Sequence, residues 1–523
     1  MSDYVKASGK QYAIASGCLD ATVTAAAILE AGGNIVDAAI AGSAVQCVTS
    51  PHLVSIGGDL FAMVKFANDP RTLALNATGA APLHASIEGF RASGNSLIPI
   101  RGPLSVQSPG LVAGWQALLE KWATMPLRAL LQPAIGLARN GSKVGRRLAL
   151  LSAECANAFA SEHGWSAAFL PNGAPLSRGQ TLTQKRLADT LAQIGEEGTA
   201  AFYSGPIAMD IVETVRRAGG ILDKSDLELV VADIAPALSI KIGAVSVATQ
   251  PPVSQGVVLL RALGLLWEAV SGRMQADDAE LSIAAARALG IAFDERLNLL
   301  GDSANSRTLA ESMLQGCTPA GPARLFHAHP GPETTTLSII DSEGNAISLI
   351  NSVFADFGSG VVTDKTGILL NNRLCAFFLD PDHPNGLEPR KRTIQTLHSV
   401  IVSDEHGVLM AGGSPGGDQQ VQVNLQVLAR VLMRGQALEE AVSAPRWMLY
   451  PGTHPHHLAV QPTRIIKCEP GVAASERDAF AGAGFSVSEI SDIGSAKWVT
   501  RSRITGALLA AADLRRDGWV AAR

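Results

Sequence analysis

Three consecutive threonines, Thr334, Thr335 and Thr336, stand directly before the mainly apolar run 337–340. Threonine is β-branched and suits strands, which accounts for most such clusters. The second reading is chemical. A threonine at a chain N-terminus carries nucleophile and base together: its hydroxyl attacks and its own α-amine takes the proton. That amine has an ordinary pKa of about 7.7–8.0, close to neutral working conditions. An internal threonine lacks the amine, so this chemistry requires cleavage of the bond before it. Residues 301–332 are rich in Gly, Pro and His and show no periodicity, which is the loop signature such a cleavage site needs.

Acyl transfer also needs donors aimed where the oxyanion forms. The stretch GGSPGGD, residues 412–418, offers backbone N–H groups at a glycine-rich turn ahead of a helix. A turn of this kind is weak evidence by itself, since ordinary tight turns look the same. As a phosphate loop it lacks the G-K-[ST] ending and the Rossmann spacing.

The elements that must hold these groups can be read from periodicity. Residues 20–50 predict two helices separated by AGGN. A strand is expected after the glycines at 57–58, and helices over 109–145 with a break at Met125-Pro126. Residues 150–235 read as mostly helical, 238–250 as strands, and the stretch to about 300 as helix-rich. TLSIID, EGN and AISLINSVF form a hairpin by their turn chemistry. Further strands are expected at 367–371 and 398–411, and a helix over 419–433.

Bulk composition narrows the function classes. The chain has 523 residues, 47% hydrophobic and 17% charged, enough for a large core, and its formal net charge is -5. No basic surface for nucleic acid and no block of like charges is present. The N-terminal stretch shows no secretory pattern and no apolar run reaches membrane-spanning length, so a soluble cytoplasmic protein is expected. Cys18, Cys47, Cys155, Cys317, Cys375 and Cys468 show neither C-x-x-C nor zinc-site spacing and read as reduced core residues. The histidines show no ligand spacing, so no metal or cofactor is implied.

Segments in order along almost the whole chain resemble the γ-glutamyltransferase family of N-terminal-nucleophile hydrolases: AGGNIVDAAIA, SPGLVAGW, TMPLRALLQPAIGLARNG, TTTLSIIDSEGNAISLINSVFADFGSG, GILLNN, GGSPGGD, APRW and LLAAADLRRDG. The resemblance implies an α+β fold, the four-layer αββα sandwich of that superfamily. Asp341 sets the register of the family's T-T-H-[FY]-S-V-V-D pattern and makes Thr334 its nucleophile, with cleavage between Glu333 and Thr334. Thr336 stands where the family often has His. Cleavage would give a large chain, 1–333, and a small chain, 334–523, sharing one domain, and leaves a dimer of such heterodimers open. By position, Ser352 is the hydroxyl near the nucleophile's amine, and Gly416 and Gly417 are the oxyanion donors.

The substrate positions depart from the family. Where an Arg holds the α-carboxylate, this chain has Thr78, and the family's serine pair is replaced by Gln395 and Thr396. Around the substrate ammonium the acceptor set becomes Phe354, Arg373 and Ala376. A cation there repels an ammonium and favours a carboxylate. The competing role for Arg373 is an ion pair with a nearby acid, such as Asp356 or Asp380. The resemblance therefore implies an amide hydrolase acting on a small carboxylate-bearing amide such as oxamate, near the oxamate amidohydrolases and the cephalosporin- or glutaryl-type acylases. The alternatives are a γ-glutamyltransferase or glutathione hydrolase with an altered pocket, a non-catalytic binding protein on the same fold, and a phosphate-binding module.

Overall fold

The computed structural model describes residues 4–270, 277–317, 334–450 and 465–523. Asn34 shows how the chain sets its first elements. Its side chain accepts the Val36 and Asp37 N–H groups while Asp37 bonds back to the Asn34 N–H, a capping box that opens helix Ile35–Thr49 just after helix Leu19–Glu30. Every residue of the second helix is buried, because small side chains let it lie against both a sheet and its helical neighbours.

Two seven-stranded antiparallel sheets face each other. The first runs Tyr4–Gly9, Leu508–Asp513, Lys497–Arg501, Gly407–Gly413, Val400–Asp404, Val245–Thr249, Leu238–Ile242. The second runs Trp519–Ala522, Tyr12–Ser16, Thr335–Asp341, Ala346–Ser352, Asp59–Lys65, Leu73–Ala77, Asp233–Pro236. Ala13, Ala15, Met63, Ile340, Ile401, Ala411 and Val499 fill the space between them. Helices Ile35–Thr49, Leu111–Trp122, Leu127–Asn140 and Lys185–Glu197 share a core with the second sheet. Helices Gly256–Val270, Asp278–Leu299 and Gln419–Arg434 share one with the first. The result is the expected αββα sandwich. Both sheets interleave strands from before and after the threonine segment.

The threonine hairpin forms as expected, Thr335–Asp341 with Ala346–Ser352. Asp341 and Asn345 tie its turn: Asn345 N–H and Nδ2 donate to the two Asp341 carboxylate oxygens at 2.9 and 2.8 Å.

Three expectations need correction. Residues 301–317 are not loop throughout, since Ser306–Leu314 is a helix and Ser306 Oγ bonds locally to close its first turn. Residues 367–371 form no strand; only isolated bridges, Gly57 to Leu370 and Val362 to Leu369, occur there. Cys317 is exposed, unlike the other five cysteines; all six are free thiols. No helix among the described residues is long and apolar enough to cross a membrane.

Candidate active site

Alternation along the threonine strand sorts its side chains. Thr335 Oγ1 accepts from Gln46 Nε2 at 3.2 Å, and Leu337 packs on Gly42, so odd positions face the helices. Even positions face the other sheet. Ser338 Oγ and Ser348 Oγ lie 2.9 Å apart, and Ser348 Oγ donates across the sandwich to the Gly412 carbonyl at 3.2 Å. Thr335 is thus a structural strand residue, held with Asn351 by Gln46. Thr334, immediately before the strand, is 2% exposed and donates its hydroxyl to Ser352 Oγ at 3.3 Å. Ser352 Oγ also accepts the Phe354 N–H at 2.8 Å. Glu333, the other half of the expected cleavage site, lies outside the described residues.

Replacing Ser352 by Ala removes the hydrogen-bond partner of the Thr334 hydroxyl. Turnover of an amide is expected to fall roughly 10- to 100-fold, the worth of one well-placed hydrogen bond. Steady-state kinetics at equal concentrations of folded protein check this; unaltered turnover would remove Ser352 from the site.

The glycine turn sits at the end of strand Gly407–Gly413, which passes Thr336 on its way out of the sheet. Gly416 has φ +117 and Gly417 φ +57, values that L side chains resist. A Cβ on Gly416 would also meet Gln419 Oε1 at 2.8 Å. Their carbonyls accept the Gln419 and Gln420 N–H groups at 2.9 and 3.1 Å and start the helix. Among the described residues, neither glycine N–H has an acceptor. The turn is braced from outside: the Ser495 N–H donates to Ser414 Oγ at 3.1 Å, and the Gly494 N–H to Gln419 Oε1 at 2.9 Å. Two fixed N–H groups without an acceptor, on a turn that follows the strand passing Thr336, are the kind of donors an oxyanion requires.

Arg373 begins a short turn, Arg373–Ala376, that two asparagines lock in place. Asn371 Oδ1 accepts the Arg373 N–H at 3.0 Å while its Nδ2 donates to the Gly57 and Gln107 carbonyls. Asn372 ties the Ile100 carbonyl to the Ala355 N–H. The Arg373 side chain is fully buried. Its Nε donates to Asp59 Oδ2 at 3.1 Å, so its carboxylate partner is Asp59 and not Asp356 or Asp380. Asp59 lies directly opposite Ser352 in the sheet, one strand from the Thr334–Ser352 hydrogen bond. The guanidinium stacks 4.4 Å from the Phe354 ring centre, and Phe354 holds the unusual φ of +84. Nη1 and Nη2 of Arg373 have no partner among the described residues. Burial pushes the Asp59 carboxyl up, against the pull of Arg373.

Phe354, Ala376 and Thr396 line one small cleft, together with Leu297, Leu300, Phe378, His383, Asn385, Ile394 and Arg296. Thr78 and Gln395 do not line it. They meet each other instead, Gln395 Nε2 donating to Thr78 Oγ1 at 3.0 Å. Thr334 meets Ser352 as expected, and of the expected substrate positions Phe354, Ala376 and Thr396 share the cleft while Arg373, Thr78 and Gln395 do not; Asp59, Gln255, Arg296 and Asp418 were not singled out from the sequence. Asp418 was in the glycine motif and Asn371 and Asn372 in GILLNN; nothing local marked the others. Among the described residues no group of three or more His, Cys, Asp or Glu could hold a metal.

Comparison with known proteins gives the same architecture. Residues 21–523 match the family described as Gamma-glutamyltranspeptidase. The glutathione hydrolase-like YwrD proenzyme of Bacillus subtilis is 32% identical over 80% of this chain and 82% of its own. The oxamate amidohydrolase proenzyme of Klebsiella pneumoniae is 32% identical over 82% of this chain and 83% of its own. The crystal structure of cephalosporin acylase from Bacillus halodurans superposes with a TM-score of 0.89 at 29% identity, covering 99% of this chain and 97% of that one.

Proposed function

The chain belongs to the γ-glutamyltranspeptidase family and is a hydrolase of C–N amide bonds, and from that premise we propose that cleavage before Thr334 frees the nucleophile and that the substrate is a small carboxylate-bearing amide. Thr334 Oγ1 attacks the amide carbon. The freed α-amine takes the hydroxyl proton and passes it to the leaving amine. The Gly416 and Gly417 N–H groups hold the oxyanion, and water then releases the acyl group as its acid, returning the threonine hydroxyl.

The observation that carries the carboxylate is Arg373. A guanidinium at zero exposure with both Nη groups unpartnered is costly unless something arrives to bind them. Its partner Asp59 lies opposite Ser352 in the sheet, which suits a carboxylate next to the scissile carbonyl, as in oxamate. A γ-glutamyl substrate instead brings an ammonium, which neither the Arg373 cation nor the apolar Phe354 ring stacked on it suits.

The test is intact mass of the purified protein followed by an amide panel. The expected result is a fragment spanning 334–523 and turnover of oxamate well above that of oxamide or a γ-glutamyl anilide. An uncleaved, inactive chain would return the non-catalytic reading. Faster turnover of the γ-glutamyl anilide would overturn the substrate assignment. Because the base is the neutral amine, kcat should rise with pH through about 7.7–8.0 and level off above it. A rate that falls with pH across that range would exclude the amine as base.

A further inference from the structure

Lys497 opens strand Lys497–Arg501 and pairs with Gly413, the last residue of the strand that leads into the glycine turn. Val499, two residues on, lies in the core between the sheets, so Lys497 faces the second sheet. Its stem passes over Gly17, where an added Cβ would meet Lys497 Cε at 3.6 Å. The Gly17 N–H donates to the Thr336 carbonyl at 3.2 Å, and a Cβ on Gly413 would meet Thr336 Cγ2 at 3.9 Å. Lys497 thus starts level with Thr336. Its Nζ then turns back to Ser495, donating to the carbonyl at 3.2 Å and to Oγ. Ser495 precedes its strand at the end of the sandwich where Thr334 precedes its own, and its N–H holds Ser414 beside the glycine turn. The ammonium therefore lies between the head of the threonine strand and that turn.

A buried ammonium is costly unless a carboxylate meets it. Lys497 is 1% exposed and forms no ion pair among the described residues; both its printed partners are oxygens of Ser495. Asp513, on the adjacent strand, is committed to Arg446 Nη2 at 2.7 Å and to the Ala496 N–H at 2.6 Å. Asp513 and Asp517 favour the charge on Lys497, Arg446 and Arg516 oppose it, and burial prevails, pulling the ammonium down to about 8. The second sheet brings Gly17 and Thr336 against it, and the glycine strand brings Gly413, none of them charged. The buried cation on the turn's other flank differs. Arg296 is paired with Asp418 at 2.5 Å, and Gln255, which also accepts from Arg296, donates to the Gly417 carbonyl at 3.2 Å. A cation without a counter-ion, beside a nucleophile that works through its own amine, repels a proton from that amine. We propose that Lys497 is a positioning residue whose cation, held by Ser495 at the head of the threonine strand, keeps the freed Thr334 amine neutral and ready to accept the hydroxyl proton. This rests on the nucleophile reading given above.

The test is the pH profile of kcat for wild type, Lys497→Gln and Lys497→Arg, with oxamate and a γ-glutamyl anilide both as probes so that the readout survives either outcome of the substrate panel. Lys497→Gln keeps a donor for Ser495 and removes the charge. Its rising limb should move up by roughly one pH unit, so that it loses about tenfold near pH 7 and far less near pH 9.5. Lys497→Arg carries a charge that does not titrate, and its limb should move the other way, down by a few tenths of a unit. The Arg variant serves alone if the Gln variant folds poorly. A loss that is uniform in pH, with the limb unmoved, would overturn the inference and leave Lys497 as a brace of the glycine turn. Limbs that shift in the same direction in both variants, or profiles identical to wild type, would overturn it as well. A wild type that cleaves and shows the rising limb upholds the nucleophile reading, so an unmoved limb in the variants then counts against Lys497 alone; a wild type that does not cleave overturns both.

Discussion

Thr334→Ala is expected to remain a single 523-residue chain and to show no measurable amide hydrolysis. In the proposed reaction the hydroxyl is the atom that forms the acyl bond, and Ser352 Oγ, which accepts the Phe354 N–H and has no α-amine beside it, would not replace it. Loss of a nucleophile that works with its own base costs on the order of 10⁴-fold or more in turnover. Thr334→Ser should cleave and turn over, more slowly, since it keeps hydroxyl and amine but loses the methyl that fixes the rotamer. Denaturing gels, intact mass and kinetics on the same preparations check all of this. Thr334 is one of three consecutive buried threonines, so folding must be compared by circular dichroism. A Thr334→Ala protein that still cleaves would move the nucleophile elsewhere.

The Arg373–Asp59 pair gives the second large effect, and here stability and activity must be separated. Arg373→Met leaves Asp59 buried without its cation. Breaking one side of a buried ion pair costs about 3–5 kcal/mol, whereas replacing both sides with apolar groups is often neutral. The single variant is therefore expected to be strongly destabilised and to lose roughly 100-fold or more on oxamate relative to a neutral amide. The double variant Arg373→Met/Asp59→Leu should recover most of the stability in denaturant titrations yet keep the loss of discrimination. Recovery of oxamate turnover along with stability would show that Arg373 serves only the fold.

Local pattern carried much of this molecule and failed where contacts are distant. The hairpin was legible because EGN has turn chemistry and its flanks alternate. The helix pair before residue 50 was legible because AGGN ends one helix and Asn34 caps the next. GILLNN misled, since an apolar run followed by asparagines looks like a strand and its turn. In the structure Asn371 and Asn372 spend their amides on Gly57, Gln107 and Ile100, which bends the segment away from any ladder. The partner of Arg373 could not be read, because Asp59 lies 314 residues away and meets it only through sheet pairing. Arg296 gave no signal either: a single arginine on a helix is ordinarily a solvated one, and only the packing of that helix on the glycine turn turns it inward.

The interleaving of strands in both sheets has a consequence for the two chains that a cut before Thr334 would leave. Tyr4–Gly9 pairs with Leu508–Asp513, Tyr12–Ser16 with both Thr335–Asp341 and Trp519–Ala522, Ala346–Ser352 with Asp59–Lys65, and Val400–Asp404 with Val245–Thr249. The fragments are woven rather than docked. They cannot part without dismantling both sheets, so subunits from different molecules should not exchange under native conditions, and each pair keeps for its lifetime the partner it was synthesised with. A damaged small chain cannot be rescued by a fresh one from solution; it retires the whole molecule.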